Sequence, residues 1–182
     1  MRVLYSLALA LSLSLIGYSQ TSGQAKSVPA ADRTFLREAV QANEAEITLA
    51  HLAEQKTSTL VVKQFAQRMV TDHTKLKDDT TGLASRLGVS LPTGMNAEDK
   101  AQHKALSAKS GNAFDKAYIE DMLKDHRHDI SAFQKEANSG GNADVKALAQ
   151  QALPTLQEHL HLAEDAAKQL RIPTTPSGEE MR

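Results

Sequence analysis

The stretch FAQRMVTDHTKL, from Phe65 to Leu76, decides the fold class of this chain. Apolar or threonine side chains recur every three or four residues from Val62 to Leu87, which is the spacing of one face of a helix in a bundle. One member of this stripe, His73, is ionisable. A histidine at a core position needs a partner or a ligand, because burying a polar group without one is costly.

Three other segments carry stripes of the same kind, and each stripe also has one ionisable member. The whole periodic pattern predicts four helices, at Asp32–Gln55, Ser58–Leu87, Ala97–Ala137 and Ala143–Leu170. Long amphipathic helices joined mostly by short turns are typical of an all-α, up-down-up-down four-helix bundle. The bundle domain is expected to span residues 32–171.

Local signals mark the ends and irregularities of these helices. Asp32 is a candidate N-cap of the first helix, and Gly88 is a candidate C′ residue of the second. The third helix is expected to be interrupted near residues 110–112, where Ser, Gly and Asn follow one another. Asp115 could cap its second part. Pro154 should bend or break the fourth helix, because proline removes one backbone hydrogen bond.

The two ends of the chain read differently from the middle. Residues 1–19 combine Arg2, an apolar run and small residues, the pattern of a secretory signal cleaved after Ser19 or after Ala25. The apolar run is too short for a typical spanning helix, so no spanning segment is expected in the mature chain. Residues 20–31 are predicted to be a flexible lead-in and residues 172–182 a disordered tail. The protein is therefore expected to be exported, into the periplasm.

The composition narrows the function classes. The formal net charge is −1, so no basic face favours nucleic acid as a partner. Cysteine is absent, which excludes disulfides and thiolate ligands. No glycine-rich phosphate loop or nucleophile elbow occurs, so nucleophilic catalysis has no candidate residues. A protein partner cannot be named from these features.

The four ionisable interruptions are Glu46, His73, His126 and His159. If the first and the last interhelical turns lie at the same end of the bundle, their depths fall between about 15 and 26 Å from that end, at ~1.5 Å per residue. One shared layer is therefore expected. Carboxylate and imidazole ligands suit Fe, Zn, Mn or Cu, so these four residues are candidate metal ligands.

Two other interpretations of the same layer remain open. Glu46 could instead bridge the imidazoles, with help from Tyr118, in a metal-free hydrogen-bonded network within a structural or stress-related interaction module. The clustered imidazoles could also sense pH, because they repel one another once protonated. His51, His103, His128 and His161 are expected on the surface. The Glu158–His161 spacing matches one half of a di-iron motif, but the second helix offers no matching pair.

The chain resembles the DUF4142 family of exported bacterial proteins, a domain of unknown function placed among ferritin-like bundles. The stretches that carry the resemblance are FLREAVQANEAEITLAHLA (residues 35–53), VKQFAQRMVTDHTKL (62–76), FDKAYIEDMLKDHRHDISAFQKEA (114–137) and LAQQALPTLQEHLHLA (148–163). The resemblance implies a ferritin-like four-helix bundle. It implies no particular activity.

Overall fold

The computed structural model describes residues 27–173, which form five α-helices and no strand. The predicted signal sequence and most of the predicted tail lie outside these residues. The helices are α1 (Ala30–Lys56), α2 (Leu60–Arg86), α3 (Ala97–Ser107), α4 (Gly111–Ser139) and α5 (Ala143–Leu170). The all-α class is confirmed. Within the described range, no helix is long and apolar enough to cross a membrane.

The break predicted in the third helix is present and divides it into α3 and α4. The second helix ends as predicted at Gly88, which has a φ of 65°. The backbone N–H of Val89 donates to the Ala84 carbonyl there, in the pattern of a Schellman motif. Of the bend or break predicted at Pro154, the break is absent, since α5 continues through this residue. Proline removes one backbone hydrogen bond from α5, and the packing of the residues before and after it keeps the helix continuous.

The first helix begins at Ala30, two residues before the predicted start, so Asp32 lies in its first turn and is not the N-cap. Its carboxylate instead accepts hydrogen bonds from the backbone N–H groups of Gly141 and Asn142, at 3.2 and 2.6 Å. Val28, in the predicted lead-in, is buried in the core. The start of α1 is therefore tied to the turn between α4 and α5.

The core consists of two apolar clusters, one toward each end of the long helices. The first cluster includes Leu49, Met69, Met122 and Ala163, and the second includes Leu36, Leu83, Phe133 and Val145. Along the chain, α1 and α5 run from the second cluster to the first, whereas α2 and α4 run from the first to the second. The long helices α1, α2, α4 and α5 therefore run up, down, down and up.

This order corrects the up-down-up-down expectation and the assumption that the first and last turns share an end. The reason is α3, which packs against α1 and α4. It returns the chain from the second cluster, where α2 ends, to the first cluster, where α4 begins. Leu106, near the end of α3, lies in the first cluster, where α4 then begins. The long helices pack α1 on α2, α4 on α5, α2 on α5 and α1 on α4.

Candidate metal centre

A layer of polar side chains separates the two apolar clusters. Its centre is formed by His73 from α2, His126 from α4 and His159 from α5, which are 1%, 0% and 0% exposed. Each histidine stands at the point where its own helix passes from one cluster to the other. Ring centroids are 5.1 to 5.6 Å apart. The predicted layer therefore brings these three residues together.

His73 is held by Asn43 of α1. The Nδ1 of His73 lies 2.9 Å from the Oδ1 of Asn43. The Nδ2 of Asn43 donates to the Ala39 carbonyl at 2.7 Å, which fixes the orientation of the amide. Because Oδ1 can only accept, Nδ1 of His73 must carry the hydrogen. The other nitrogen, Nε2, then presents a lone pair, and it is buried without a hydrogen-bond partner.

His126 and His159 are held in the same manner by different acceptors. The Nδ1 of His126 donates to the Met122 carbonyl at 2.9 Å, one helical turn earlier. The Nε2 of His159 donates to Asp72 Oδ2 at 2.8 Å. Asp72 is oriented in turn by an ion pair with Arg68 on the same helix. Both acceptors hold the hydrogen on the nitrogen that they contact, so the opposite nitrogen keeps its lone pair.

The unanchored nitrogens of His126 and His159 face each other. His126 Nε2 and His159 Nδ1 are 3.3 Å apart, and both are acceptors in the tautomers that the anchors impose. Two facing lone pairs do not form a hydrogen bond. One ring nitrogen from each of the three histidines lies within 4.8 Å of the other two, and this group could hold a metal ion.

Electrostatics keep the three imidazoles neutral. Burial lowers the pKa of His73 well below its usual range, and the neighbouring His126 and His159 lower it further. Burial lowers the pKa of His126 to about 3. Burial also lowers the pKa of His159, although Asp72 acts in the opposite direction. Neutral imidazoles are the form that binds metal. The imidazoles of the layer would therefore take up protons only at a pH below the usual pKa of histidine.

Glu46, the fourth predicted ligand, lies beside the layer and is not part of the group of three. It is 3% exposed. Its Oε1 is 3.8 Å from His126 Nδ1, the nitrogen already bonded to Met122. Its Oε2 is buried and has no hydrogen-bond partner. Burial, followed by the nearby Asp125, raises the pKa of this carboxyl well above its usual range.

Tyr118 does not join the network suggested by the sequence. Its ring packs against Phe65 and Phe114 in the first apolar cluster, with centroids 6.1 Å apart in both pairs. Its hydroxyl is buried without a hydrogen-bond partner. Asp115, the predicted cap, lies inside α4 and accepts from the Thr59 hydroxyl. Both residues therefore contribute to the end of the fold near the α1–α2 turn.

The remaining histidines are apart from the layer. His51 and His161 are exposed and lie beside Glu54 and Asp165 of their own helices, at 2.9 and 3.6 Å. His128 is exposed as well, and His103 is half-buried on α3. The surface prediction is confirmed for the first three. Because His161 faces outward, the Glu158–His161 pair lies outside the candidate site.

Sequence reasoning missed Asn43 and Asp72. Asn43 follows Ala39 by four residues and precedes Glu46 by three, so helical spacing could have placed it on the inner side of α1. Asp72 directly precedes His73 on the helix and therefore points away from the stripe. It contacts a histidine of another helix, and a pattern read along one helix carries no signal for that contact.

Comparison with known proteins identifies the family. The model of the DUF4142 family, described as a domain of unknown function, matches residues 18–166. This match covers well over half of the chain, so the protein belongs to the DUF4142 family, as its resemblance implied. No curated protein matches the chain.

Two solved structures share the fold. One is a DUF305 fragment from Deinococcus radiodurans, with a TM-score of 0.70 and 13% identity, covering 78% of this chain and 98% of that one. The other is a DUF305 protein from Streptomyces coelicolor, with a TM-score of 0.69 and 14% identity, covering 80% and 96%. At this identity the likeness concerns the fold alone.

Proposed function

We propose that this member of the DUF4142 family binds a transition metal ion through His73, His126 and His159. The observation that carries the proposal is the set of three anchors. Asn43, the Met122 carbonyl and Asp72 each hold one ring nitrogen as a donor, which leaves one acceptor nitrogen on each of three neighbouring buried rings. Protein metal sites orient their histidines by such outer hydrogen bonds.

The spacing of the nitrogens supports the proposal. Tetrahedral zinc with Zn–N bonds near 2.0–2.1 Å places two ligand nitrogens about 3.3 Å apart. His126 Nε2 and His159 Nδ1 are separated by 3.3 Å. His73 then has to approach the other two, since the three nitrogens are grouped within 4.8 Å. Three protein ligands would leave a fourth position for water or another small ligand.

The ligand types favour some of the candidate metals over others. A site built from imidazole nitrogens suits Zn and Cu best among Fe, Zn, Mn and Cu. Mn prefers oxygen ligands, and the common non-haem Fe(II) site includes a carboxylate. Glu46 is the available carboxylate, but it lies beside His126 Nδ1. We therefore leave Glu46 out of the proposed ligand set, which consists of the three histidines.

The cellular location and the fold type proposed for this protein are inferred in part from its sequence. We infer an exported, periplasmic protein, on the strength of the signal pattern in residues 1–19. We also infer a ferritin-like four-helix bundle in which α3 belongs to the single long crossover between α2 and α4. The proposed role is metal binding in the cell envelope, as a carrier or as a redox centre.

A metal-free layer is the second candidate. In that case the protein is a structural or stress-related interaction module, and the anchored histidines only set the register of the helices. The observation in its favour is that each ring already has one hydrogen-bonded nitrogen. The layer would then need a proton between His126 and His159. The lowered pKa of both rings disfavours that proton.

Elemental analysis by inductively coupled plasma mass spectrometry tests the proposal. The full chain should be exported into the periplasm and purified without a histidine tag, beside His73→Ala and the control His161→Ala, which removes an exposed histidine. About one metal ion per chain is expected in the wild type and the control, and none in His73→Ala. Absence of metal from the wild type, even after incubation with Zn and Cu salts, would favour the metal-free layer.

A further inference from the structure

A second polar site lies on the other side of Glu46, where a pocket of about 510 Å³ opens between α1, α3 and α4. Each of these helices contributes two carboxylates to its wall. The six residues are Glu38, Glu46, Glu98, Asp99, Asp125 and Asp129. Lys124 and His128 are the basic residues of the wall, and both are exposed. Within residues 27–173, no lysine or arginine forms an ion pair with any of the six carboxylates.

Two carboxylate oxygens of the pocket are buried without a partner. One is Oε2 of Glu46, whose side chain is 4% exposed, and the other is Oδ2 of Asp99. Buried carboxylates without partners are rare, because each costs the free energy of its lost hydration. Burial raises the pKa of Asp129 to about 7, and Asp125 raises it further. A cation bound in the pocket would reduce the cost of ionising these carboxyl groups.

The arrangement disfavours a single metal ion as that cation. Within residues 27–173, the three histidines are the one group of three metal-ligating side chains whose ligand atoms come within 4.8 Å of one another. The carboxylates of the pocket are spread over three helices and do not form such a group. The wall also includes apolar side chains, among them Phe35, Ala39 and Phe133. Apolar walls between separated charges suit an elongated organic cation.

We propose that the pocket between α1, α3 and α4 binds a linear aliphatic polyamine. Its ammonium groups would lie against the carboxyl groups of the wall, Glu46 among them. Its methylene segments would pack on the phenylalanine and alanine side chains. Ammonium groups near the phenylalanine rings would gain a further cation–π attraction. This site is separate from the three histidines and does not depend on a metal being bound there.

Isothermal titration calorimetry of the full mature chain with spermidine tests the proposal. Saturable one-to-one binding is expected. The isosteric variants Glu46→Gln and Asp129→Asn should each weaken it about tenfold or more, as expected for a lost hydrogen bond to a charged group. The control Asp78→Asn removes the same charge from an exposed position on α2 and should leave the affinity unchanged. Far-UV circular dichroism would check that each variant is folded.

Three results would overturn the proposal. They are no saturable binding of spermidine, an equal loss of affinity in Asp78→Asn, and tighter binding of Ca²⁺ than of spermidine with the same two variants affected. The last would identify a site for a hard metal ion. The metal content of Asp129→Asn separates this test from the previous one. A variant that keeps its metal and loses spermidine supports both proposals, and a wild type without metal that binds spermidine supports this one alone.

Discussion

At the scale of single residues, the acceptors behind the histidines matter as much as the histidines. Each imidazole has two nitrogens, and only an outside partner decides which one carries the hydrogen. Asn43, Met122 and Asp72 make that decision here. The proposed site therefore depends on residues that would never contact the metal.

Replacing Asp72 tests this dependence. In Asp72→Ala the Nε2 of His159 loses its acceptor, so both the tautomer and the orientation of the ring are released. We expect the affinity for Zn²⁺ to fall about 10- to 100-fold, measured by competition with a chromophoric chelator. The control Asp78→Ala changes an exposed aspartate about one and two-thirds turns further along the same helix. Equal affinities in the two variants would contradict an orienting role for Asp72.

The raised pKa of Asp129 predicts that the stability of the domain depends on pH. Its pKa of about 7 in the folded chain lies above the usual 3.8 because of burial and then Asp125. Folding thus favours the protonated carboxyl. Its contribution to the free energy of unfolding is largest below about pH 4 and is lost as the pH rises through 7. We expect the difference in unfolding free energy between Asp129→Asn and the wild type to shift in favour of the variant by about 1 to 2 kcal/mol from pH 5 to pH 8, after solvent screening. Urea unfolding at both pH values would measure it, and a pH-independent difference would disprove it.

At the scale of elements, a single side chain joins the start of α1 to the turn between α4 and α5. Asp32 is 1% exposed and accepts from two consecutive backbone N–H groups of that turn, at Gly141 and Asn142. The turn is close to α1, since a Cβ atom added at Gly141 would lie 2.7 Å from Pro29 Cγ. The two elements are more than a hundred residues apart in the chain, so this contact closes the fold.

Removal of Asp32 should therefore destabilise the whole domain. Asp32→Ala leaves two N–H groups without their charged acceptor, at an expected cost of about 2 to 4 kcal/mol in the free energy of unfolding. Chemical denaturation followed by circular dichroism would give this value. The exposed residue Asp78 again supplies the control, since Asp78→Ala should change stability by less than about 0.5 kcal/mol. A similar small effect at Asp32 would show that water replaces the carboxylate.

At the scale of the whole molecule, the polar layer divides the core into two clusters. All four long helices pass through it, and three of them supply a histidine. A ligand that binds these residues only in the folded state must stabilise the entire domain. The layer thus couples metal binding to the packing of every long helix.

Thermal unfolding measures this coupling. At a free Zn²⁺ concentration of 100 times Kd, the metal should add about 2.7 kcal/mol to the stability of the domain. For a chain of this size, that corresponds to a rise in Tm of roughly 5 to 10 °C. A chelator should reverse the rise. His73→Leu should show no response to Zn²⁺, while the exposed variant His161→Ala should respond like the wild type. An unchanged Tm of the wild type would argue for the metal-free layer.

Much of this architecture could be predicted from the sequence. The four stripes and their interruptions at Glu46, His73, His126 and His159 are local patterns, because a side chain's face follows from its position along its own helix. The break before α4 and the end of α2 at Gly88 are also local signals, and both are confirmed. The buried layer follows from the stripes alone.

The direction of α4 could not be predicted in this way. The pattern treats residues 97–137 as one interrupted helix, but a break permits the chain to reverse, and it does so between α3 and α4. With this topology the four polar residues come closer in depth than first expected. Counted from the end of the first cluster, they lie 10 to 15 residues into their helices, or about 15 to 22 Å.

The sequence by itself determined the helices, the inward face of each one and the presence of a buried polar layer. Only the tertiary structure decided that Glu46 lies beside the three histidines, that Asn43 and Asp72 orient them, and that six carboxylates of three helices share one pocket. The physical reason is that periodicity specifies a side chain's direction relative to its own helix axis. Contacts between helices depend also on their order, rotation and connection, which packing sets.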